Sequence, residues 1–192
     1  MRSYSILSML KWMAIALAFA QISAGAAEVE RKLGWATPVQ QSANLFQVTP
    51  TFYRSAQITQ EELALLQSFD IKTVVSLRAF HSDKKILSQS GMQLVRVKIY
   101  TWDIDDEQVA QALRAIREAE KQGKVLLHCQ HGADRTGLIT AMYRVLYQNW
   151  DRERALDELV NGGYGYHAMW KNIPDYLRTV DIEKIRRMAG PD

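Results

Sequence analysis

The decapeptide HCQHGADRTG occupies residues 128–137, between an apolar run at 124–127 and a second apolar run at 138–146. The first run is short enough for a buried strand, and the second is apolar on most sides, as a central helix is. The pattern therefore predicts a strand, a short loop and the start of a helix in direct succession. In such a loop, successive backbone N–H groups can surround one oxyanion, and the helix N-terminus adds the positive end of its dipole.

Cys129, the only cysteine of the chain, lies six residues before Arg135 in this decapeptide. A helix N-terminus and a guanidinium both favour the thiolate of a nearby cysteine, so we expect Cys129 to be ionised at neutral pH. The planar fork of Arg135 can hold two phosphoryl oxygens at once, a geometry that lysine does not reproduce. The residues expected around a bound phosphate are Gln130, His131, Gly132, Ala133, Asp134 and Arg135.

Residues 128–137 resemble the Cys-x5-Arg signature loop of the cysteine-dependent protein tyrosine phosphatases, and the flanking histidine and threonine are similar to the compact dual-specificity branch. Residues 45–57 resemble the Tyr-Arg-Ser-x-Gln hairpin of bacterial members, and residues 73–78 their strand that ends in Leu-Arg. The resemblance covers most of the chain between residues 45 and 150. It implies a phosphatase similar to the bacterial periplasmic dual-specificity enzymes.

The resemblance implies hydrolysis of phosphotyrosine, and in the dual-specificity branch of phosphoserine and phosphothreonine, through a cysteinyl-phosphate intermediate. Attack by Cys129 on phosphorus replaces one difficult displacement by two easier ones. The Thr136 hydroxyl can donate to the sulfur and help it leave in the second step, whereas its alternative role is a helix N-terminal cap. We expect His128 to order the loop through hydrogen bonds rather than to enter the chemistry.

The leaving group needs a proton, so a carboxylic acid must reach the site from another segment. Three aspartates lie together within residues 100–106, namely Asp103, Asp105 and Asp106. In the family the acid follows the strand that precedes the long helix, and Asp103 matches that position best. Asp105 and Asp106 are well placed to cap the helix that begins near Glu107, and Asp105 is the second candidate for the acid.

No cluster of side chains has metal-ligand spacing in the sequence, so we expect catalysis without a metal or another cofactor. The loop lacks the lysines of family members that act on polyphosphorylated inositols, which favours a phosphorylated protein as substrate. Lys84, Lys85 and Arg78 could lend positive charge from a neighbouring loop, but the preferred interpretation of Lys84 and Lys85 is a solvated face. Three alternatives stay open: a phosphoinositide or other small phosphate-ester phosphatase with the same mechanism, a non-catalytic phosphate-binding module, and a redox-active thiol without a resolving cysteine.

Residues 1–26 are typical of an export signal, with two basic residues, an apolar run at 12–20 and small residues at 24–26. We expect cleavage before Ala27, a periplasmic or secreted protein, and no stable membrane insertion after cleavage; an uncleaved anchor is the alternative. Removing the two basic residues from the formal net charge of +3 leaves +1. A nearly neutral chain without a basic stripe does not favour nucleic acid as a partner.

The length that remains after residue 26 is that of one domain, which the resemblance makes a phosphatase domain at residues 44–192. An extended lead-in is expected at 27–43, and we expect a monomer. Strands that alternate with helices indicate an α/β fold, with a mainly parallel central sheet flanked by helices. The Cys129 loop then lies at the carboxyl end of a strand, where such sheets bind ligands. Strands are expected within 46–57, at 72–77 and at 92–99, and helices after a capping box at 59–62, at 107–122, after Asp151 and at 174–188.

Overall fold

The structure, a computed structural model, describes residues 31–190, so the predicted export signal and residues 27–30 of the lead-in lie outside the described residues. The strands are β1 (Thr37–Gln40), β2 (Leu45–Gln47), β3 (Phe52–Ser55), β4 (Ile71–Ser76), β5 (Gln93–Arg96) and β6 (Lys124–His128). The α-helices are α1 (Leu63–Ser68), α2 (Lys84–Leu87), α3 (Asp106–Glu120), α4 (Asp134–Tyr147), α5 (Arg152–Asn161), α6 (Asn172–Thr179) and α7 (Ile182–Ala189).

These strands form one sheet in the order β1-β2-β3-β6-β4-β5. The strands β3, β6, β4 and β5 run parallel, whereas β1 and β2 extend one edge in antiparallel fashion. His128, the last residue of β6, pairs with Ser55 of β3 and with Ser76 of β4. Three strands therefore end together at one edge of the sheet, where α/β folds place their ligands. The predicted fold class, a mainly parallel α/β sheet flanked by helices, is confirmed.

Helices cover both faces of the sheet. Because successive side chains of a strand point to opposite faces, Val74 and Val75 of β4 enter different cores. Val74 packs with side chains of α1 and α2, and Val75 packs in a larger core with those of α3 to α7. The helix α4 is buried along most of its length, which fixes its N-terminus beside the end of β6. In the part of the chain that is described, no helix is both long and apolar enough to cross a bilayer.

The helix predicted at 174–188 is two helices, α6 and α7, separated by Val180 and Asp181. Asp181 caps α7, since its carboxylate accepts a hydrogen bond from the Lys184 N–H at 3.0 Å. Arg152 of α5 donates to three carbonyl oxygens at the end of α6, those of Leu177, Arg178 and Val180. The prediction of one helix was wrong because a guanidinium from another helix satisfies groups that a continuous helix would pair internally.

The described part of the predicted lead-in, residues 31–43, packs onto the sheet. It contains the strand β1, and Ala36 is fully buried. The Ala36 N–H donates to a carboxylate oxygen of Glu158 at 2.7 Å. These residues therefore belong to the same compact unit as the helices behind them.

One predicted helix start, that of α5, has the expected side-chain cap, whereas the capping box predicted before α1 caps no helix in the structure. The Asp151 carboxylate accepts from the Arg154 N–H at 2.7 Å at the start of α5. In the predicted capping box, the Glu62 carboxylate accepts from the Thr59 N–H at 2.8 Å. The helix α1 begins only after that box, because the intervening residues form a turn.

Candidate active site

The signature loop, defined here as residues 129–135, lies where β6 ends and α4 begins. Cys129 follows the central strand directly, carries a free thiol and is only 1% exposed. Asp134 is the first residue of α4, and the Gly137 N–H donates to the Ala133 carbonyl oxygen at 2.7 Å in the first helical turn. The fold thus places the thiol at the N-terminus of a buried helix, in the strand-loop-helix order predicted from the sequence.

Three consecutive carbonyl oxygens of the signature loop are held from outside it. Those of Gln130, His131 and Gly132 accept hydrogen bonds from Gln57 N–H (3.0 Å), Asn44 Nδ2 (2.8 Å) and Arg54 Nη2 (2.6 Å), respectively. In a planar trans peptide the C=O and the following N–H point in opposite directions. The N–H groups of residues 131–133 therefore point away from these donors, toward the centre of the loop, where they can bind an oxyanion.

Gly132 is required at its position by conformation and by space. Its φ is 72°, in the left-handed region that favours glycine. A Cβ atom there would lie 2.5 Å from the carbonyl of Ser55 and 2.6 Å from the backbone nitrogen of Ala56. Any side chain at position 132 would collide with the end of β3. Glycine therefore lets the signature loop pack against that strand.

Arg135 lies in the first turn of α4 and lines the cavity in front of the loop. Its Nη1 donates to the carbonyl oxygens of Ile99 at 3.1 Å and Leu77 at 3.4 Å, which orients the guanidinium. The Nε of Arg135 and the hydroxyl of Thr136 are buried without a hydrogen-bond partner among the described residues. A buried polar group without a partner costs about 1–3 kcal/mol. Both atoms can therefore bind a group held in the loop, and the catalytic role of Thr136 stays a prediction.

His128 connects the start of the signature loop to Asp83, which precedes α2. Its Nε2 is 3.1 Å from Asp83 Oδ2, and its Nδ1 is 2.9 Å from the carbonyl oxygen of Cys129. Burial acts to raise the pKa of Asp83, but the hydrogen bond and the charge of His128 outweigh it and hold that pKa below its usual value. The hydrogen bonds expected of His128 are present. Asp83 was not predicted from the sequence, because it lies 45 residues before His128 in a polar stretch without periodicity.

Arg54 of β3 is a second guanidinium behind the loop, and it is fully enclosed by protein. It lies 3.6 Å from the centroid of the Tyr164 ring and close enough to Cys129 for their charges to interact. Burial lowers the pKa of Arg54, while the charges of Tyr164, Glu158 and Cys129 act against that shift. The sequence marked this residue only through the Tyr-Arg-Ser resemblance. The structure makes it a positive charge beside the thiol.

Glu158 of α5 carries the negative charge of the same region. Its carboxylate accepts two hydrogen bonds from Arg144, at 2.9 and 3.0 Å, and one from the Tyr164 hydroxyl at 2.9 Å. Burial acts to raise the pKa of Glu158, but the hydrogen bond and charge of Arg144 outweigh it and lower that pKa. Burial also raises the pKa of Tyr164 to about 12. This buried network holds α4, α5 and the Tyr164 turn together behind the signature loop.

The cavity in front of the loop, about 330 Å³ in volume, has an aromatic wall. We define the aromatic rim as Phe80, Tyr100 and Trp102. The ring centroids of Phe80 and Trp102 lie 5.5 and 5.3 Å from that of Tyr100, and these two outer rings are 82% and 62% exposed. A large apolar surface therefore borders a pocket whose floor is polar. The signature-loop residues that line the cavity are Gln130, His131, Asp134 and Arg135.

Two of the three candidate aspartates have structural partners. Asp105 caps α3, because its carboxylate accepts a hydrogen bond from the Gln108 N–H at 2.7 Å. Asp106 forms an ion pair with Lys184 at 2.7 Å and accepts a hydrogen bond from the Tyr176 hydroxyl at 2.8 Å. The hydrogen bond and charge of Lys184 hold the pKa of Asp106 below its usual value. The capping role expected at this helix start belongs to Asp105.

Asp103 is exposed and lies next to the aromatic rim. Its N–H donates to the carbonyl oxygen of Tyr100 at 3.2 Å, which closes a tight turn around Trp102. Its carboxylate makes no hydrogen bond or ion pair with any residue that the structure describes. Trp102 lines the cavity, whereas Asp103 is not among the lining residues in this structure. The assignment of Asp103 as the acid therefore stays a prediction.

Asp134 belongs to the loop through its backbone, but its carboxylate contacts His167. Its Oδ1 accepts from the His167 N–H at 3.0 Å, and its Oδ2 is 2.9 Å from the His167 Nδ1. The fold also brings His131 to this pair, so that three potential metal ligands lie within 4.8 Å of one another. This cluster was not predicted from the sequence, because His167 follows Asp134 only after 33 residues.

A comparison with protein families identifies the chain. The family model described as "DSP-PTPase phosphatase fused to NAD+ Kinase" matches residues 30–168, a range that includes every strand and the whole signature loop. The chain belongs to this DSP-PTPase family. The resemblance to cysteine-dependent phosphatases noted in the sequence is thereby confirmed.

Individual relatives of this DSP-PTPase are similar over most of their length. The chain is 39% identical over 156 residues to the dual specificity protein phosphatase TpbA of Pseudomonas aeruginosa (strain UCBPP-PA14), covering 81% of this chain and 71% of that protein. The crystal structure of a P. aeruginosa TpbA variant in complex with pTyr has a TM-score of 0.78 at 38% identity, covering 84% of this chain and 99% of that one. The inositol diphosphatase DSP2 of Oryza sativa subsp. japonica is 28% identical over 123 residues, covering 60% of this chain and 59% of that protein.

Proposed function

We propose that this DSP-PTPase is a protein phosphatase that hydrolyses phosphotyrosine, and also phosphoserine and phosphothreonine, through a cysteinyl-phosphate intermediate. One observation carries the proposal: the free thiol of Cys129 lies in a loop whose carbonyl groups are held outward and whose far end carries Arg135. A dual specificity phosphatase at 39% identity and the related structure with pTyr support the substrate class. The mechanism proposed here requires no metal ion.

In the first step the phosphoryl group binds to the N–H groups of residues 131–133 and to the fork of Arg135. The thiolate of Cys129 attacks phosphorus, and the bond from phosphorus to the tyrosine oxygen breaks as the sulfur–phosphorus bond forms. Charge in this transition state spreads over three equatorial oxygens, which the loop N–H groups and Arg135 surround. The N–H groups and the guanidinium that bind the phosphoryl group of the substrate thus also stabilise the transition state.

Asp103 donates the proton to the leaving oxygen in this proposal. The carboxylates of Asp105 and Asp106 are engaged by α3 and by Lys184, whereas that of Asp103 has no such partner among the described residues. The proposal requires the turn that carries Trp102 to move so that Asp103 reaches the cavity, which Trp102 already lines. In the second step the same carboxylate takes a proton from the attacking water, and the Thr136 hydroxyl donates to the departing sulfur.

The aromatic rim favours an aryl phosphate as substrate. Phe80 and Trp102 offer exposed ring faces at the mouth of the cavity, where the ring of phosphotyrosine can stack. Of the residues that line the cavity, only Arg78 and Arg135 are permanently cationic, which is few for a polyphosphorylated inositol. A small phosphate ester remains the second candidate because of the similarity to the rice inositol diphosphatase.

The decisive experiment measures phosphate release from a phosphotyrosine peptide by the wild type, Cys129→Ser, Asp103→Asn and Asp105→Asn. We expect no turnover by Cys129→Ser and about 100-fold slower turnover by Asp103→Asn, because a general acid contributes that much with a poor leaving group. With an activated aryl ester, which leaves without a proton, Asp103→Asn should approach the wild-type rate. Asp105→Asn serves as the matched control and should retain the wild-type rate on both substrates.

Three outcomes would contradict parts of the proposal. A loss in Asp105→Asn with no loss in Asp103→Asn would reassign the acid. Faster turnover of inositol phosphates than of phosphotyrosine peptides would favour the small-ester alternative. A wild-type protein that releases no phosphate from any aryl ester would be a binding module.

We propose further that the chain is exported to the periplasm or secreted and acts there as a monomer. The support for export is the sequence of residues 1–26, with its apolar run and its small residues before Ala27. N-terminal sequencing of the protein from a fractionated cell should give Ala27 as the first residue. Light scattering on the same material should give the mass of one chain. A cytoplasmic protein that retains Met1 would overturn the export proposal.

A further inference from the structure

Three side chains with metal-binding atoms meet at one side of the cavity. His131 comes from the signature loop, Asp134 from the start of α4, and His167 from the turn before α6, and all three line the cavity. One ligand atom of each residue lies within 4.8 Å of those of the other two, and the histidine ring centroids are 5.1 Å apart. None of these side chains has a part in the chemistry proposed for Cys129, Asp103 and Arg135.

The backbone around the three residues is fixed, so their proximity is built into the fold. Asp134 has only 8% of its side chain exposed, and its Oδ1 accepts from the His167 N–H at 3.0 Å. The carbonyl oxygen of His131 is held by Asn44 at 2.8 Å. The Nδ1 of His167 lies 2.9 Å from Oδ2 of Asp134, so these two potential ligand atoms are already neighbours. The cluster is therefore pre-organised, apart from rotation of two exposed rings.

We propose that His131, Asp134 and His167 form a binding site for one divalent transition-metal ion, with Zn²⁺ as the favoured ion. Imidazole ligands suit zinc, copper and nickel, whereas calcium and magnesium prefer oxygen ligands alone. Ligand atoms around a tetrahedral zinc ion are about 3.4 Å apart, so binding requires the exposed rings of His131 and His167 to turn toward a common ion. Oδ2 of Asp134 and Nδ1 of His167 then both coordinate the ion. To free Nδ1 for the metal, the hydrogen of the neutral His167 ring moves from Nδ1 to Nε2.

The site leaves coordination positions open toward the cavity, because its three protein ligands are all on the cavity wall. Two guanidinium groups, those of Arg78 and Arg135, line the same cavity and repel a cation. The carboxylate of Asp134 offsets part of that repulsion. We therefore expect reversible binding that a chelator removes, rather than a permanently bound structural ion.

Cobalt, which has a visible spectrum, is the probe for the test, and the protein is the purified chain without a polyhistidine tag. Because a thiolate is itself a metal ligand, Cys129→Ser is the parent for all measurements. Titration of this parent with Co²⁺ should give a saturable visible band at one ion per chain, and Zn²⁺ should displace the cobalt. His131→Gln and His167→Gln in the same parent should each weaken the cobalt affinity by at least about tenfold.

His81→Gln is the matched control, since His81 contacts Gln57 and Asp83 and lies outside the cluster. It should bind cobalt as the parent does. The proposal is overturned if the parent takes up no stoichiometric cobalt, if both cluster variants bind as tightly as the parent, or if His81→Gln loses the ion as well. Circular dichroism on every variant ensures that a lost site is not an unfolded chain.

Discussion

At the scale of single residues, the buried Arg54 is as informative as the signature itself. Cys129, Arg135 and the surrounding loop could be predicted because their chemistry is contained in ten consecutive residues. Arg54 reaches the loop through the pairing of β3 with β6, and Asp83 reaches it through a long loop. Such contacts depend on tertiary structure, which no local pattern encodes. The sequence therefore predicted the loop and the hydrogen bonds of His128, but it did not predict the contacts that Arg54 and Asp83 make with that region.

Removing the charge of Arg54 should make the thiol of Cys129 less reactive. In Arg54→Met the loop loses the donor to the Gly132 carbonyl oxygen and the positive charge near Cys129, so we expect alkylation of the thiol by iodoacetamide to slow about tenfold at neutral pH. The rate of alkylation, measured at several pH values, gives the alkylation profile of each variant. Arg54→Lys should restore part of the reactivity.

Lys72→Met removes one charge from an exposed ion pair with Asp70 and is the control for net charge. It should leave the alkylation profile unchanged. An unchanged profile in a folded Arg54→Met protein would show that Arg54 only supports the loop.

The exposed ring of Trp102 should contribute to substrate affinity rather than to the chemical step. For Trp102→Ala we expect KM for a phosphotyrosine peptide to rise about 3- to 10-fold, the worth of one aromatic contact, while kcat changes little. A small alkyl phosphate should be unaffected. Leu33→Ala, which truncates an exposed apolar side chain remote in sequence from the cavity residues, is the control. Equal losses on both substrates would refute stacking.

At the scale of elements, local sequence patterns predicted the presence of a helix more reliably than the residue at which it ends. The capped start of α5 was predicted because its cap lies within one turn of sequence. The division between α6 and α7 was missed because the decisive donor, Arg152, comes from α5. A window of hydrophobic periodicity cannot contain a partner that lies some 25 residues earlier.

Arg152→Met should therefore lower stability through the end of α6. Three carbonyl oxygens lose a charged donor, and because the site is partly exposed we expect a loss of about 2 kcal/mol. Urea unfolding followed by circular dichroism measures the change. Arg187→Met, on the exposed side of α7, is the control and should differ from the wild type by less than about 0.5 kcal/mol. A similar loss in both variants would point to charge rather than to these hydrogen bonds.

At the scale of the whole molecule, the Arg144–Glu158 pair joins α4 and α5, and Glu158 also holds Ala36 and Tyr164. The pKa of Glu158 is lowered in the folded protein, whereas an unfolded glutamate titrates near about 4.3. The stability due to this carboxylate is thus present above about pH 4.3 and lost as pH falls through the folded pKa.

Glu158→Gln should cost about 3 kcal/mol near neutral pH, because Arg144 is left buried without its counter-charge. The difference from the wild type should shrink in acid, once the wild-type carboxylate is protonated. Urea unfolding at several pH values tests both statements. Glu153→Gln removes an exposed carboxylate and should have almost no effect at any pH. A difference in stability that does not change with pH would exclude the ionised pair as its cause.

The two edges of the sheet have a consequence for the behaviour of the protein at high concentration. An open edge strand is a template on which another chain can add a strand and begin to aggregate. At one edge, β1 contains Pro38, which cannot donate to a further strand, and its register with β2 is irregular. At the other edge, β5 is four residues long and ends in Arg96. Both edges therefore discourage intermolecular β-pairing, and concentrated solutions should stay free of fibrils.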